Sequence, residues 1–413
     1  MLFQNIVLGA LSLCGYVASA SPLELQNGHT PTVNHLDRRN SAEVSSQLEG
    51  LRVQYSLPAL AISFNDGTGL NQAHTGVRKL GDRTNVTADD AWPLGSNTKA
   101  MTATIVALLI QDGLLAWNTT LDEIFASANL TIQDAFVNVT IGELATHRSG
   151  ITGTFGVDNP PLLPSQMLEL YEMNATLGRA VAVSTVLLLP TLGERGSYQY
   201  SNNNYIILGF VIDVVTGEAA EDVISKRLWE PLEMQSAGWG AVSESNATSV
   251  ENPWPHLLNL TTAEPYAYHP EWPVVFRDLA PYMDTAGVAH MSLADYDKWL
   301  RLHVDEDAQQ AVGLEAVQLE MLHTAYHGED DEEEAEGYTY GGWIRVVEGC
   351  PGAEDNGFCL VHTGSNTMYV TYACIDTGDR ITASAMTNAP YAGGGINGTT
   401  MAAVMVLNGT ITL

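Results

Sequence analysis

Strand patterns lie at both ends of this chain and helical patterns fill its middle, a distribution that constrains the fold more than any single residue does. Leu60-Ala61-Ile62-Ser63-Phe64 has the composition of a strand, Asn65-Asp66-Gly67 that of a hairpin turn, and residues 72–78 that of the returning strand. Strand patterns resume only at 338–347, 358–362, 368–375 and 380–387. Before and between them the apolar spacing is helical: 41–56 (Val44, Leu48, Leu51, Val53), 119–145 in pieces, 206–215, 219–230, 291–303 and 308–322. Residues 153–165 are rich in Pro and Gly and read as an irregular loop. Residues 243–283 carry prolines and aromatics without periodicity, which suits a lid or an aromatic-anchored surface loop. The acidic run 329–336 suits a solvated loop. With 413 residues, no internal repeat and no interdomain linker, the expectation is an α/β (α+β) chain. One antiparallel sheet is built from both termini and flanked by helices, with a mainly helical lobe inserted. The α/β lobe would span about 40–94 and 284–413, the helical lobe about 95–283.

The stretch with the most chemistry is Ser96-Asn97-Thr98-Lys99, at the head of the apolar helical pattern Met101, Ile105, Leu108, Leu109, with Gly113 as its stop. Residues three apart on a helix share a face, so the Lys99 amine can reach the Ser96 hydroxyl. A serine needs a neighbouring base to act as a nucleophile, and a partly desolvated lysine can serve. The chain has only four lysines, and Lys79, Lys226 and Lys298 have no serine three residues before them.

A net charge of −31 disfavours nucleic acid and anionic membrane surfaces as partners. Residues 1–20 have an apolar run followed by Ala18-Ser19-Ala20, the form of a secretory signal without a basic start. Residues 21–39 are a polar pro-segment or linker ending in Arg38-Arg39, which resembles a dibasic processing site, and the catalytic domain would occupy 40–413. Extracellular location follows as an expectation, with no membrane span. The apolar tail 401–413 is barely hydrophobic enough for a lipid-anchor signal. Glycosylation sequons begin at Asn85, Asn118, Asn129, Asn138, Asn174, Asn246, Asn259, Asn397 and Asn408. Cys14 leaves with the signal. Of the three remaining cysteines, Cys350 and Cys359 flank a turn and form the first candidate disulfide, with Cys359–Cys374 the alternative. No Cys/His cluster has zinc spacing, so neither metal nor cofactor is expected.

Three motifs in order resemble the serine β-lactamase, penicillin-binding protein and esterase superfamily, its class C-like branch, over roughly residues 45–400. Ser96-Asn97-Thr98-Lys99 matches Ser-x-x-Lys, Tyr200-Ser201-Asn202 matches Tyr-x-Asn, and His362-Thr363-Gly364 matches Lys/His-x-Gly. Leu144-Ala145-Thr146-His147-Arg148-Ser149-Gly150, Glu230-Pro231-Leu232-Glu233-Met234 and Ala286-Gly287 resemble supporting phrases. The resemblance implies a two-lobed β-lactamase/DD-peptidase-like fold with its site in the cleft. Ser96 would be the nucleophile, with Lys99 and Tyr200 sharing the proton work as a coupled pair in which the ammonium favours the phenolate. Asn202 would donate an amide hydrogen bond to Lys99 or the substrate. The oxyanion hole would be the backbone N–H groups of Ser96 and Ser365, with Gly364 admitting substrate close to the strand. His147 is expected to be structural.

His362 departs from the lysine common in the lactamases and transpeptidases, and histidine is largely neutral at pH 7. The expected function is a serine hydrolase acting through an acyl-enzyme on an ester, lactone or amide, from a small-molecule or peptide-like donor of neutral or weakly charged character. An acyltransferase would use the same acyl-enzyme. A non-catalytic binding protein that keeps the fold is the reading from another class.

Overall fold

The computed structural model describes residues 41–407 apart from 127, 129, 152, 158–161, 192, 243–249, 273–276, 327–336, 348–349, 351–356 and 392–393. The signal and pro-segment, Asn129, Asn246, Asn408, the acidic run, and parts of the 243–283 loop and of the tail therefore lie outside the described residues.

In chain order the strands are β1 Ala59–Asn65, β2 Leu70–Gly76, β3 Trp92–Pro93, β4 Gly238–Trp239, β5 His256–Leu258, β6 Pro265–Ala267, β7 Ala289–Met291, β8 Gly337–Tyr338, β9 Ile344–Val346, β10 Cys359–Ser365, β11 Val370–Asp376 and β12 Ile381–Thr387. Seven form one sheet in the order β2-β1-β12-β11-β10-β9-β8. Every neighbouring pair is antiparallel, and the two chain ends meet where Ile62 sits opposite Ala385 and Ser63 opposite Ser384. Mixed α/β architecture with a sheet from both termini is thus what the chain adopts.

Side chains alternate across a strand, and β1 uses both faces. Ala59 and Ala61 join the main core, whereas Leu60, Ile62 and Phe64 join a second core with Val44, Leu48, Leu51, Ala402, Ala403 and Val406. The helices Ser41–Gln54 and Gly395–Leu407 therefore cover one face. Residues 401–407 of the apolar tail belong to the second of these helices. Val53 instead faces solvent. On the main-core side, the helix Thr98–Gln111 is buried from Thr98 through Leu109, so it runs through the interior rather than along a surface.

Several boundaries differ from the sequence reading. Helical patterning over 308–322 resolves into Glu306–Val312 and Ala316–His323, split at Gly313 with φ +74°. The strand expected over 338–347 is two short strands, β8 and β9, turned at Gly342 with φ +76°. Helix Pro164–Glu172 begins inside the stretch 153–165 that the sequence reads as a loop, and it and Ala175–Val186 otherwise occupy residues with no assignment from the sequence. Where the 243–283 loop is described, Trp254, Tyr268 and Tyr282 are buried, and Trp254 donates to the Tyr268 carbonyl. Cys350 and Cys359 form a disulfide, and Cys374 is a buried free thiol, so the alternative pairing is not made. Among the described residues, no helix is long and apolar enough to cross a membrane.

Candidate active site

β3 leads into a tight turn, Gly95–Asn97, and from there into the Thr98–Gln111 helix. The end of β10 packs backbone to backbone against this turn. A Cβ on Gly95 would overlap the Ser365 amide nitrogen, and one on Gly364 would overlap the Leu94 carbonyl oxygen. Gly95 also has φ +53°. Gly364 thus makes room for the chain's own Leu94 carbonyl, not for substrate as its motif suggested. The same contact sets the Ser365 amide beside the residue preceding Ser96.

Ser96 is 7% exposed. Its Oγ lies 3.1 Å from Lys99 Nζ and accepts a hydrogen bond from the Tyr200 hydroxyl at 2.8 Å. Lys99 is fully buried, and its Nζ also donates to Asn202 Oδ1 and to the Ala286 carbonyl, both at 2.7 Å. An ammonium would donate to all three oxygens. A neutral amine donates to Asn202 and Ala286 and turns its lone pair to the Ser96 hydroxyl, the geometry of a general base. Burial pushes the Lys99 pKa well below its ordinary value and so favours the neutral form. Tyr200 moves the opposite way to expectation. Burial raises its phenol, outweighing the opposing Ser96 hydrogen bond, so Tyr200 holds its proton.

Asn202 accepts from Lys99 rather than donating to it, and its amide donates to Thr154 Oγ1 at 3.0 Å. It opens the helix Asn202–Thr216, with Ser201 as the residue before it. The two following asparagines hold the facing loop: Asn203 Oδ1 accepts from the Phe155 N–H at 2.7 Å, and Asn204 Oδ1 from the Ser149 hydroxyl at 2.7 Å. His147 grips the same segment. Its carbonyl accepts from the Gln199 N–H at 2.8 Å, its Nδ1 accepts from the Ser201 N–H at 3.1 Å, and its ring lies 4.3 Å from that of Tyr200.

His362 is buried between Asn97 and Tyr338. Nδ1 donates to Asn97 Oδ1 at 3.1 Å, and Nε2 faces the Tyr338 hydroxyl at 3.3 Å. Burial, reinforced by Lys99, drives its pKa down to about 3, so the ring is neutral. Thr363 is half-buried and, by strand alternation, belongs to the opposite face from His362. Sequence reasoning passed over Asn97, Thr154, Ala286 and Tyr338. Asn97 and Ala286 sit inside quoted motifs; Thr154 and Tyr338 carry no local signal. Six of the sequon asparagines, 85, 118, 138, 174, 259 and 397, are described, and all six are exposed.

A Beta-lactamase family model matches residues 44–404. Penicillin-binding protein 4 of Amycolatopsis lactamdurans is 25% identical over 352 residues, covering 84% of this chain and 85% of that protein. Unguisins hydrolase ungD' of Aspergillus campestris is 26% identical over 261 residues, covering 60% of this chain and 44% of that protein. The chain thus spans less than half of that relative's length. Among solved structures, the octameric penicillin-binding protein homologue from Pyrococcus abyssi aligns with a TM-score of 0.69 at 20% identity, over 90% of this chain and 78% of that one. That likeness concerns the fold.

Proposed function

The chain belongs to the beta-lactamase family, and from that premise we propose that it is a secreted, glycosylated serine hydrolase that acylates Ser96 with a neutral ester, lactone or amide. The observation that carries this reading is the pair of contacts on one hydroxyl: Lys99 Nζ at 3.1 Å and Tyr200 OH at 2.8 Å from Ser96 Oγ. As Oγ attacks the carbonyl carbon, its proton passes to the neutral Lys99 amine. Tyr200 delivers its own proton to the leaving alcohol or amine and is recharged from Lys99. The amides of Ser96 and Ser365 hold the oxyanion. Water then attacks the acyl-enzyme, and the same pair moves its proton in reverse.

The neutral His362 supports the substrate class. A carboxylate-bearing donor needs a fixed cation at this strand, and a buried imidazole with a pKa of about 3 supplies none. The apolar leader with its Ala18-Ser19-Ala20 end and the exposed sequons support secretion through residues 1–20; residues 21–39, a pro-segment or linker ending in Arg38-Arg39, would precede a catalytic domain from residue 40.

The test is the intact mass of the deglycosylated protein after brief exposure to an activated short-chain ester, beside Ser96→Ala. One added acyl group on the parent and none on the variant is the expected outcome. Equal labelling of both proteins, or of neither, overturns the assignment.

A further inference from the structure

The carboxyl of Asp278 has no part in the chemistry above, yet it is tied to the strand end that supplies the second oxyanion amide. Asp278 is 5% exposed and precedes the short turn Pro281–Met283. Its Oδ1 accepts from Asn366 Nδ2 at 2.8 Å and from the Leu279 N–H at 2.7 Å. Its Oδ2 is buried with no hydrogen-bond partner among the described residues. Asn366, 2% exposed, directly follows Ser365, and its Oδ1 accepts from the N–H groups of Met368 at 3.2 Å and Tyr369 at 3.1 Å. Ser365 Oγ accepts from the Thr367 N–H at 2.9 Å and donates to the Tyr369 carbonyl at 2.7 Å. Thr367 has φ +78°, a conformation that a β-branched residue keeps only when its surroundings impose it. The side chains of Ser365 and Asn366 thus close the turn that leaves β10, and Asp278 fastens it from a different part of the chain.

We propose that Asp278 is a positioning residue: through Asn366 it holds the Ser365 amide in place beside Ser96, and loss of its proton slows acylation. This rests on Ser96 being the nucleophile. The Arg277 guanidinium lies 4.3 Å from the Trp254 ring centre and donates to the Pro270 carbonyl at 3.2 Å. Lys79 lies over the same indole at 4.1 Å. The Tyr171 hydroxyl donates to the Asp278 main-chain carbonyl at 3.3 Å, and the Tyr369 hydroxyl to the Pro253 carbonyl at 2.7 Å. Burial raises the Asp278 carboxyl to about 7, against the opposing pull of the Asn366 and Leu279 hydrogen bonds. Ionised, it would place a buried negative charge behind the turn whose amide must stabilise a developing oxyanion.

The experiment is single-turnover acylation by the activated ester across about pH 5 to 9, with Asp278→Asn, Asp278→Leu and Asn366→Ala beside the parent and each fold checked by melting. The parent should lose rate as pH rises through neutrality. Asp278→Asn, which can still accept from Asn366 and Leu279, should keep the rate and lose that fall. Asp278→Leu should acylate about ten-fold more slowly at every pH, since a misplaced donor costs less than a deleted one. If it does not fold, Asn366→Ala cuts the same link from the other side and is read in the same way. A fall that persists in Asp278→Asn overturns the proposal, as does parent-like acylation when the link is cut. No acyl adduct on the parent itself would overturn the Ser96 assignment and this proposal with it, an outcome visible before any Asp278 variant is read.

Discussion

A lysine buried without a carboxylate among its hydrogen-bond partners is the residue on which the proposed chemistry depends. Lys99 touches three oxygens, none of them charged, and burial alone lowers its pKa. Its neutral form is the base, so acylation should rise with pH as Lys99 loses its proton; in Asp278→Asn, freed of the fall through neutrality, it should then level off. Lys99→Arg removes the limb altogether, because a guanidinium stays protonated at any working pH. A loss of at least about 100-fold in kcat/KM at all pH values is the expected size, measured on the activated ester. Tyr200→Phe deletes the other proton carrier while leaving the ring against His147, and should cost a similar factor with little change in melting temperature. Ser96, Lys99 and Tyr200 were legible in the sequence because short motifs and helical spacing carry them. Their protonation states were not: the sequence leaves the base open between a desolvated lysine and an ammonium-favoured phenolate, and burial favours the neutral lysine and the protonated phenol. Tyr338 and Thr154 were invisible because they reach the site from loops and strands remote in sequence.

At the scale of elements, the site is held by two kinds of clamp. One is glycine: β10 can lie against the Gly95–Asn97 turn only because Gly95 and Gly364 lack a Cβ. The other is a buried ion network. Arg179, on the helix Ala175–Val186, donates to Asp213 at 2.8 Å, to Glu221 at 2.7 Å and to Asp284 at 2.5 Å, joining three further helices. Asp284 lies two residues before Ala286, whose carbonyl accepts from Lys99. Arg179→Met leaves three carboxylates without their cation, two of them nearly buried, and should destabilise by roughly 3–5 kcal/mol. Chemical denaturation measures that loss. A well-folded variant of parent-like stability would show that the network is replaceable by packing. The helical pattern begins at 206, yet the helix itself begins at Asn202, so 202–204 lie inside it. They form its first turn, and their three amides hold the 147–155 loop, a role that needs a partner loop remote in the chain.

For the whole molecule, the titration of buried histidines sets the acid limit. Burial lowers His256 to about 4 and His323 and His362 to about 3. In the unfolded chain each takes up a proton near pH 6.5, whereas in the folded state it does not until far lower. Stability present above about pH 6.5 is therefore lost as pH falls toward those values, at up to about 1.4 kcal/mol per pH unit for each group. Asp278 and Asp284, both raised to about 7, and Asp213 and Asp297, also raised by burial, have the opposite slope between the unfolded value and neutrality; they are outweighed because burial lowers His147, His290 and His303 as well as these three rings. The melting temperature should drop on acidification from about pH 6.5 to 5, and a flat profile would show that these rings are not neutral inside the fold. Legible in the residues alone were the sheet drawn from both termini, the serine–lysine spacing and Cys350–Cys359 as the first of two candidate pairings, because each is written in neighbouring residues or in their periodicity. Which groups keep a proton, what surrounds His362 and what fills the space at Gly364 are set by packing across the fold. Those depend on the removal of water and the approach of backbone by segments hundreds of residues apart, and no local pattern encodes them.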